Sequence, residues 1–199
     1  MGEDSSRRPA NVKVTLENVA IDWPNFAGRG IKSKTTGKTI NKEGDKNFNL
    51  VITDPVKAQQ MAEDRWGVRL LENDDELADP MWSIRVKLSF KDDLPLDDWR
   101  QPKIWYVTGR KKVLLDSDSV ACIDDAFRDQ TIERVDAILS SYWWFDDRPN
   151  PEGGEPANIW KISAYVSEMW VTVRQDSLHA RYDFDNDQVG DLEDGLPFN

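Results

Sequence analysis

Two long apolar segments in the second half of the chain place the strongest constraint on its fold. Residues 132–145 read IERVDAILSSYWWF and residues 159–173 read IWKISAYVSEMWVTV, and both are rich in β-branched and aromatic side chains. The intervening DDRPNPEGGEPAN contains three prolines and two glycines, which interrupt regular structure. The pattern therefore predicts two long strands that an extended loop joins into a hairpin.

Alternating apolar and polar residues predict further strands ahead of this hairpin. The alternation is clearest in MWSIRVKLSF, residues 81–90, where Arg85 and Lys87 share the polar face. Other strands are predicted at residues 12–23, where a change of phase indicates a bulge, at residues 46–53 and at residues 103–108.

Two short helices are predicted between these strands. Asp54 followed by Pro55 is typical of a helix N-cap and first helical position, and the apolar face continues to Gly67. Residues 117–127 suit a second helix that turns Cys122 inward. Several strands, two short helices and no regular alternation of strand and helix favour an antiparallel barrel or sandwich.

The predicted fold class is mainly β, an OB-fold-like antiparallel barrel of five strands with two short helices. Basic loops or hairpin arms are expected to protrude from it, and an acidic C-terminal tail is expected to be disordered. The predicted organisation is a flexible arm at residues 1–11, the barrel domain at residues 12–175 and the tail at residues 176–199.

Composition restricts the classes of protein that this chain can represent. Hydrophobic residues make up 39% and charged residues 32% of the 199 residues, a balance typical of a globular protein. The net charge is −11, and residues 183–199 hold six acidic residues and no Lys or Arg. A single cysteine and a single histidine exclude an internal disulfide and a Cys-rich or His-rich metal site.

We expect no membrane segment, because no run of 18 apolar residues occurs, and we expect a cytoplasmic protein, because the first residues lack the apolar stretch of a secretion signal. We also expect no catalysis, no cofactor and no metal. The sequence lacks the nucleophile, phosphate-loop and zinc motifs, and its paired carboxylates are typical of solvated loops. Residues 183–194 match a calcium loop in part, but Gln188 stands where the sharp turn needs glycine.

Basic residues interleave with aromatic residues in WRQPKIWYVTGRKKVLL, residues 99–115, which contains no acid. On a strand, Lys103 and Trp105 share a face, so a cation can follow phosphate while an indole stacks on an unpaired base. A second group of cations lies in residues 29–46, and Trp143 and Trp144 are adjacent, so one of them should point outward. The candidate DNA-binding residues are Arg29, Lys32, Lys34, Lys38, Arg85, Lys87, Lys103, Trp105, Tyr106, Arg110, Lys111, Lys112, Trp143, Trp144, Lys161 and Tyr165. The alternative interpretation is that the aromatic residues of this segment belong to an ordinary core strand and that its cations are only solvated.

The chain ends in DLEDGLPFN, in which acidic residues precede a small apolar tip. Such a peptide can lie in a basic groove of a partner and insert an aromatic anchor. The tip resembles the C-terminal end of bacterial and phage single-stranded DNA-binding proteins. The positions that match are Asp191, Glu193, Asp194, Leu196, Pro197 and Phe198, and Asn199 follows the aromatic residue, which is terminal in the bacterial proteins.

The body also resembles phage-encoded single-stranded DNA-binding proteins over roughly residues 12–173, in the order IDWPNFAG, basic loop, GDKNFNLVITDPVKAQQMAEDRWGVRLL and PKIWYVTGRKKVLLD. The resemblance implies an oligonucleotide-binding barrel, sequence-independent binding of single-stranded DNA, and recruitment of replication or recombination proteins by the tail. For a phage protein the expected location is the cytoplasm of the host cell.

The main alternative is an acidic DNA mimic that inhibits a host enzyme, which the net charge of −11 favours and the clustered cations oppose. The sequence does not decide the oligomeric state, and a homo-oligomer is one possibility. It also does not decide the length of the binding site or the preference between DNA and RNA.

Overall fold

The computed structural model describes residues 8–71, 81–148 and 158–174, so the predicted tail with its partner-binding residues lies outside the described part. The strands are β1 (Lys13–Asn25), β2 (Ile31–Lys32), β3 (Thr39–Asn41), β4 (Lys46–Ile52), β5 (Arg69–Leu71), β6 (Met81–Leu88), β7 (Lys103–Thr108), β8 (Lys111–Leu115), β9 (Ile132–Asp146) and β10 (Ile159–Val173). The helices are α1 (Pro55–Glu63) and α2 (Cys122–Arg128), and a 3-10 turn, Ser119–Ala121, precedes α2.

Five of the strands form a closed barrel. β1 pairs antiparallel with β4 and β9, β4 pairs antiparallel with β6, and β9 pairs antiparallel with β10. A short parallel pairing of β6 with β10, in which Val86 lies opposite Ala164 and Lys87 opposite Tyr165, closes the ring. This arrangement confirms the predicted mainly β, OB-fold-like barrel.

The barrel interior is filled by residues at alternate positions of each strand. On β6, Ile84, Val86 and Leu88 are buried, whereas the intervening Arg85 and Lys87 are exposed. Residues of all five strands, among them Phe48 and Leu139, continue this core. The period-2 pattern in the sequence thus decides which residues of β6 remain at the surface.

β1 changes phase along its length, as the sequence predicts. Its pairing with β9 shifts between Leu16 and Val19, and Asn18 in between adopts a positive φ of 51°. The extra residue returns Val19 and Ile21 to the core side. A second shift, between Asp22 and Asn25 in the pairing with β4, has no signal in the alternation.

Both predicted helices are present but shorter than expected. The Asp54 side chain accepts hydrogen bonds from the backbone N–H groups of Val56 and Lys57, which confirms the predicted N-cap of α1. α1 ends at Glu63 rather than at Gly67. In the second segment the chain forms the 3-10 turn before α2 begins at Cys122, which is half-buried.

Among the described residues, the five strands outside the barrel form three further units. β2 and β3 form an arm between β1 and β4, where the sequence predicts an exposed loop or hairpin. β7 and β8 form a hairpin that pairs with the C-terminal half of β10, from Glu168 to Val173. β5, which the sequence analysis did not predict, pairs with the start of β6.

Candidate nucleic-acid interface

The outward side chains of β4, β6, β10 and the end of β9 form a continuous surface, which we call the basic face. Pairing places Asn49 opposite Arg85 and Asn47 opposite Lys87, and it places Lys87 opposite Tyr165 across the junction that closes the barrel. Further along, Lys161 lies opposite Trp144 and Ser163 opposite Tyr142. The basic face therefore comprises Asn47, Asn49, Arg85, Lys87, Tyr142, Trp144, Lys161, Ser163 and Tyr165, together with Arg148 at the end of β9.

Cations and rings are in contact at the centre of the basic face. The Lys87 Nζ lies 5.7 Å from the centroid of the Tyr165 ring, and Tyr165 meets Tyr142 edge to face with centroids 6.0 Å apart. The Arg85 Nη2 donates to Asn47 Oδ1 at 3.0 Å. Burial raises the pKa of the Tyr165 phenol above its ordinary value, so the ring is neutral at neutral pH and presents an uncharged surface beside Lys87.

A second cluster lies at the β9 end of the basic face. The guanidinium of Arg148 lies 5.0 Å and the Lys161 Nζ 5.8 Å from the centroid of Trp144. The Asp146 carboxylate fixes both cations, because it accepts from Arg148 Nε at 2.8 Å and from Lys161 Nζ at 2.6 Å. The carboxylate itself is buried, with a side-chain exposure of 7%.

The hydrogen bonds that Asp146 accepts from Arg148 and Lys161 hold the pKa of its carboxyl well below the usual range. The group therefore keeps its negative charge at neutral pH and keeps two cations aligned with the indole. Arg148 remains largely exposed and Lys161 half-exposed, so both can still approach a phosphate from solvent.

Two clefts lie along the basic face and share Arg85 and Lys87. One, of about 720 Å³, is bounded by the arm from Thr39 to Lys46 and by Tyr165. The other, of about 670 Å³, extends past β5 to Trp144 and Arg148. Because the two central cations line both clefts, the surface is one path on which several successive nucleotides could lie.

The predicted cations of the arm, Arg29, Lys32, Lys34 and Lys38, are exposed. The base of the arm is held by hydrogen bonds: Asn41 Nδ2 donates to the carbonyls of Arg29 and Asp45 at 3.0 and 2.8 Å. Gly28, at a φ of +69°, accepts from the N–H of Gly44 at 2.8 Å, and a Cβ at Gly28 would lie 3.1 Å from the Gly44 backbone. The arm is thus anchored beside the first cleft while its cations face solvent.

The structure does not bring the β7–β8 hairpin into these clefts. The Lys103 Nζ donates to the carbonyls of Leu96 and Asp98 at 2.6 and 2.8 Å, so it fixes a loop. Tyr106 packs against the core, and burial raises the pKa of its phenol. Trp105 lies opposite Trp170 of β10 and is covered by Lys112, whose Nζ is 4.7 Å from the ring centroid.

Arg110 lies in the exposed turn of this hairpin and Lys111 is the first residue of β8, and none of the six candidates from Lys103 to Lys112 lines the two clefts. Trp143 also leaves the basic face, since it packs against the core and its Nε1 donates to the Ala10 carbonyl at 2.9 Å. The DNA-binding roles of all these residues stay predictions.

Sequence reasoning missed several members of the basic face: Tyr142, Arg148, Asn47 and Asn49. Tyr142 could have been found, because it stands two residues before Trp144 and must share its strand face. Arg148 could not, because it lies in the proline-rich connection where no pattern fixes a side chain.

Within residues 8–71, 81–148 and 158–174, no group of three or more His, Cys, Asp or Glu side chains is placed to hold a metal ion. In the same part of the chain, none of the helices has the length and apolar character needed to cross a membrane.

The closed barrel, the anchored arm and the basic face on β4, β6, β10 and the end of β9 define a protein of the oligonucleotide-binding fold class. A family model described as a putative phage ssDNA-binding domain matches residues 4–195. The chain therefore belongs to this family of phage single-stranded DNA-binding domains.

Comparison with solved structures gave similar chains at low sequence identity. The single-stranded DNA-binding protein from bacteriophage Enc34 in complex with ssDNA is 10% identical, with 82% of this chain and 88% of that chain covered and a TM-score of 0.41. The single-stranded DNA-binding protein gp2.5 encoded by bacteriophage T7 is 12% identical, with 96% and 100% covered and a TM-score of 0.38. No curated protein sequence matched the chain.

Proposed function

We propose that this protein binds single-stranded DNA, without sequence preference, along the basic face. Single strands bind where cations follow the phosphates and aromatic rings stack on exposed bases. The basic face offers both kinds of group in alternation. Because stacking uses the face of a base rather than its hydrogen-bonding edge, every base is accepted.

The contact of Lys87 with Tyr165 across the closing strands carries this proposal. This contact brings a lysine ammonium and a tyrosine ring from two different strands to within 5.7 Å, which supports phosphate binding and base stacking at neighbouring positions. The same combination of cation and ring recurs at Trp144, which lies against Arg148 and Lys161. The family of the chain supports the same function.

The test is a titration of the full-length protein with a dT oligonucleotide and with a duplex of equal length, at two salt concentrations. We expect tight, salt-sensitive binding of the single strand with quenched tryptophan emission. An acidic mimic of DNA would instead bind neither oligonucleotide, and that result would overturn the proposal.

The salt dependence of affinity provides a quantitative test of the two cations at the centre of the basic face, Arg85 and Lys87. Each phosphate contact contributes about −0.7 to the slope of log affinity against log salt for a single strand. We therefore expect the double variant Arg85→Ala, Lys87→Ala to lose affinity and to reduce the magnitude of the slope by about 1.4. Lys57→Ala is the matched control, since Lys57 lies on α1 and lines neither cleft.

We further propose that the protein acts in phage replication or recombination and recruits partner proteins through Asp191, Glu193, Asp194, Leu196, Pro197 and Phe198. The support is the acidic run followed by an aromatic anchor. Phe198→Ala should abolish coprecipitation of purified replication or recombination proteins and leave DNA affinity unchanged. Full retention of every such partner by Phe198→Ala would contradict this role of the tip.

A further inference from the structure

Trp23 combines high exposure with an unusual backbone conformation. The side chain is 78% exposed, and the residue adopts a φ of +47°, a region that bulky residues rarely enter. Pro24 follows directly, and a residue before proline is further restricted toward extended conformations. Such an arrangement persists where the surrounding structure enforces it, and it is frequent at binding sites.

Hydrogen bonds on both sides of Trp23 enforce this conformation. The Asp22 Oδ1 accepts from the backbone N–H of Trp23 at 2.9 Å. Two residues later, the buried Asn25 exchanges side-chain hydrogen bonds with the backbone of Arg29 at 2.8 and 3.0 Å. The bulge between Asp22 and Asn25 is therefore fixed, and it holds the indole outward beside the arm.

An apolar cleft of about 580 Å³ opens beside this indole. Ile31 and Ile40 of the arm and Phe127 of α2 line it, and their exposures are 42%, 54% and 37%. These side chains come from separate elements and expose apolar surface toward a common space.

The apolar cleft is continuous with the basic face. Asn47, Asn49 and Arg85 belong to the basic face and also line this cleft. β1, which carries Trp23, is the neighbour of β4 in the barrel. A DNA strand that runs along the basic face from Trp144 over Tyr165 and Arg85 therefore reaches Trp23 on β1.

We propose that Trp23 and the apolar cleft form a subsite for one unpaired nucleobase at the β1 end of the basic face. The inference rests on the proposed function and names a subsite of the same surface. The base stacks on the indole between the arm and Phe127, and Arg85 meets a phosphate of the same strand. Because stacking on the indole uses the face of the base, which all four bases have, the subsite accepts any of them.

The first experiment follows the full-length protein by ¹⁹F NMR after incorporation of 5-fluorotryptophan. The resonances of Trp23 and Trp99 are assigned with Trp23→Phe and Trp99→Phe. Trp99 is the control because it is 86% exposed and lies in the connection before β7, outside the three clefts of this surface. We expect a dT oligonucleotide to shift the Trp23 resonance and to leave that of Trp99 in place.

The second experiment compares affinities for dT oligonucleotides from about 4 to about 16 nucleotides, the range of single-strand site sizes for one such barrel. Trp23→Ala should weaken binding of the long oligonucleotides by about 5-fold to about 150-fold, as expected for one lost stacked base, and should affect the shortest ones least. Trp99→Ala should bind as the wild type. Ile40→Ser, on the arm side of the same cleft, should reproduce the length-dependent loss.

The outcomes separate this inference from the proposed function. Failure of the wild type to bind any dT oligonucleotide would overturn both. Wild-type binding with an unshifted Trp23 resonance and an unchanged Trp23→Ala affinity would overturn the subsite and leave the basic face intact. An equal loss at every length would overturn the placement of the subsite at the end of the path.

Discussion

At the scale of single residues, Asp146 organises one end of the basic face. Its carboxylate joins Arg148 and Lys161, and these two cations lie against Trp144. Since the pKa of Asp146 is lowered in the folded protein, its charged form stabilises the fold. This contribution is fully present above the ordinary carboxyl pKa of about 3.9 and declines as the pH falls below it toward the folded value.

We therefore predict that Asp146→Asn lowers the free energy of unfolding at pH 7 and that the difference from wild type shrinks as the pH falls below about 4. Urea denaturation at several pH values measures this directly. Asp147→Asn is the control, because Asp147 is the adjacent acid and is exposed. A difference between Asp146→Asn and wild type that stays constant down to pH 2 would contradict the prediction.

Three basic residues show which features of a site can be predicted from sequence and which cannot. Alternation in β6 identified Arg85 and Lys87 correctly as outward-facing, because one buried side of a strand fixes the other. Lys103 gave the same signal, yet its ammonium is used to hold the carbonyls of Leu96 and Asp98. Which partner a lysine finds depends on loop geometry, which local pattern does not encode.

At the scale of elements, α2 fixes the position of the arm through Asp124. The two oxygens of this carboxylate accept from the backbone N–H groups of Phe26 and Ala27, each at 2.9 Å. Phe26 is buried and stacks on Phe48, with ring centroids 4.5 Å apart, so the arm begins from a fixed point in the core. The neighbouring Asp125 instead pairs with Arg128 at the surface.

Removal of this carboxylate should be costly, since hydrogen bonds to a charged group contribute about 1.5 to 3 kcal/mol each and the two donors would be left without their partner. Because Asp124 is only partly buried, we predict that Asp124→Ala lowers the free energy of unfolding by about 2 to 4 kcal/mol, less than the sum of two such hydrogen bonds. Asp125→Ala should change it by no more than about 0.5 kcal/mol, as is typical of an exposed pair. Chemical denaturation of both variants measures the contrast, and equal losses would contradict the role given to Asp124.

Elements with strong local signals were predictable, and those made by distant pairing were not. Asp54 and Pro55 marked the start of α1, and the two apolar segments marked β9 and β10. The closing pair of β6 with β10 joins residues about eighty positions apart in the sequence, and no local pattern reports such a contact. β5 has three residues, too few for any periodicity to be read.

At the scale of the whole molecule, the charge is divided between a basic face and an acidic end. Six acidic residues lie in residues 183–199, and that segment contains no Lys or Arg. A segment of this charge, tethered to the barrel, is at high effective concentration near the cations of the basic face. It should therefore compete with the phosphates of a single strand for Arg85 and Lys87.

We predict that deletion of residues 183–199 tightens binding of a dT oligonucleotide at low salt and has little effect at high salt. The Debye length falls from about 30 Å at 0.01 M to about 3 Å at 1 M, so competition between exposed charges fades over this range. A variant of unchanged length with the six acids replaced by Asn or Gln separates charge from chain length and should behave like the deletion. Fluorescence titration of the three proteins measures the effect, and equal affinities at low salt would show that the acidic segment does not compete with DNA for the basic face.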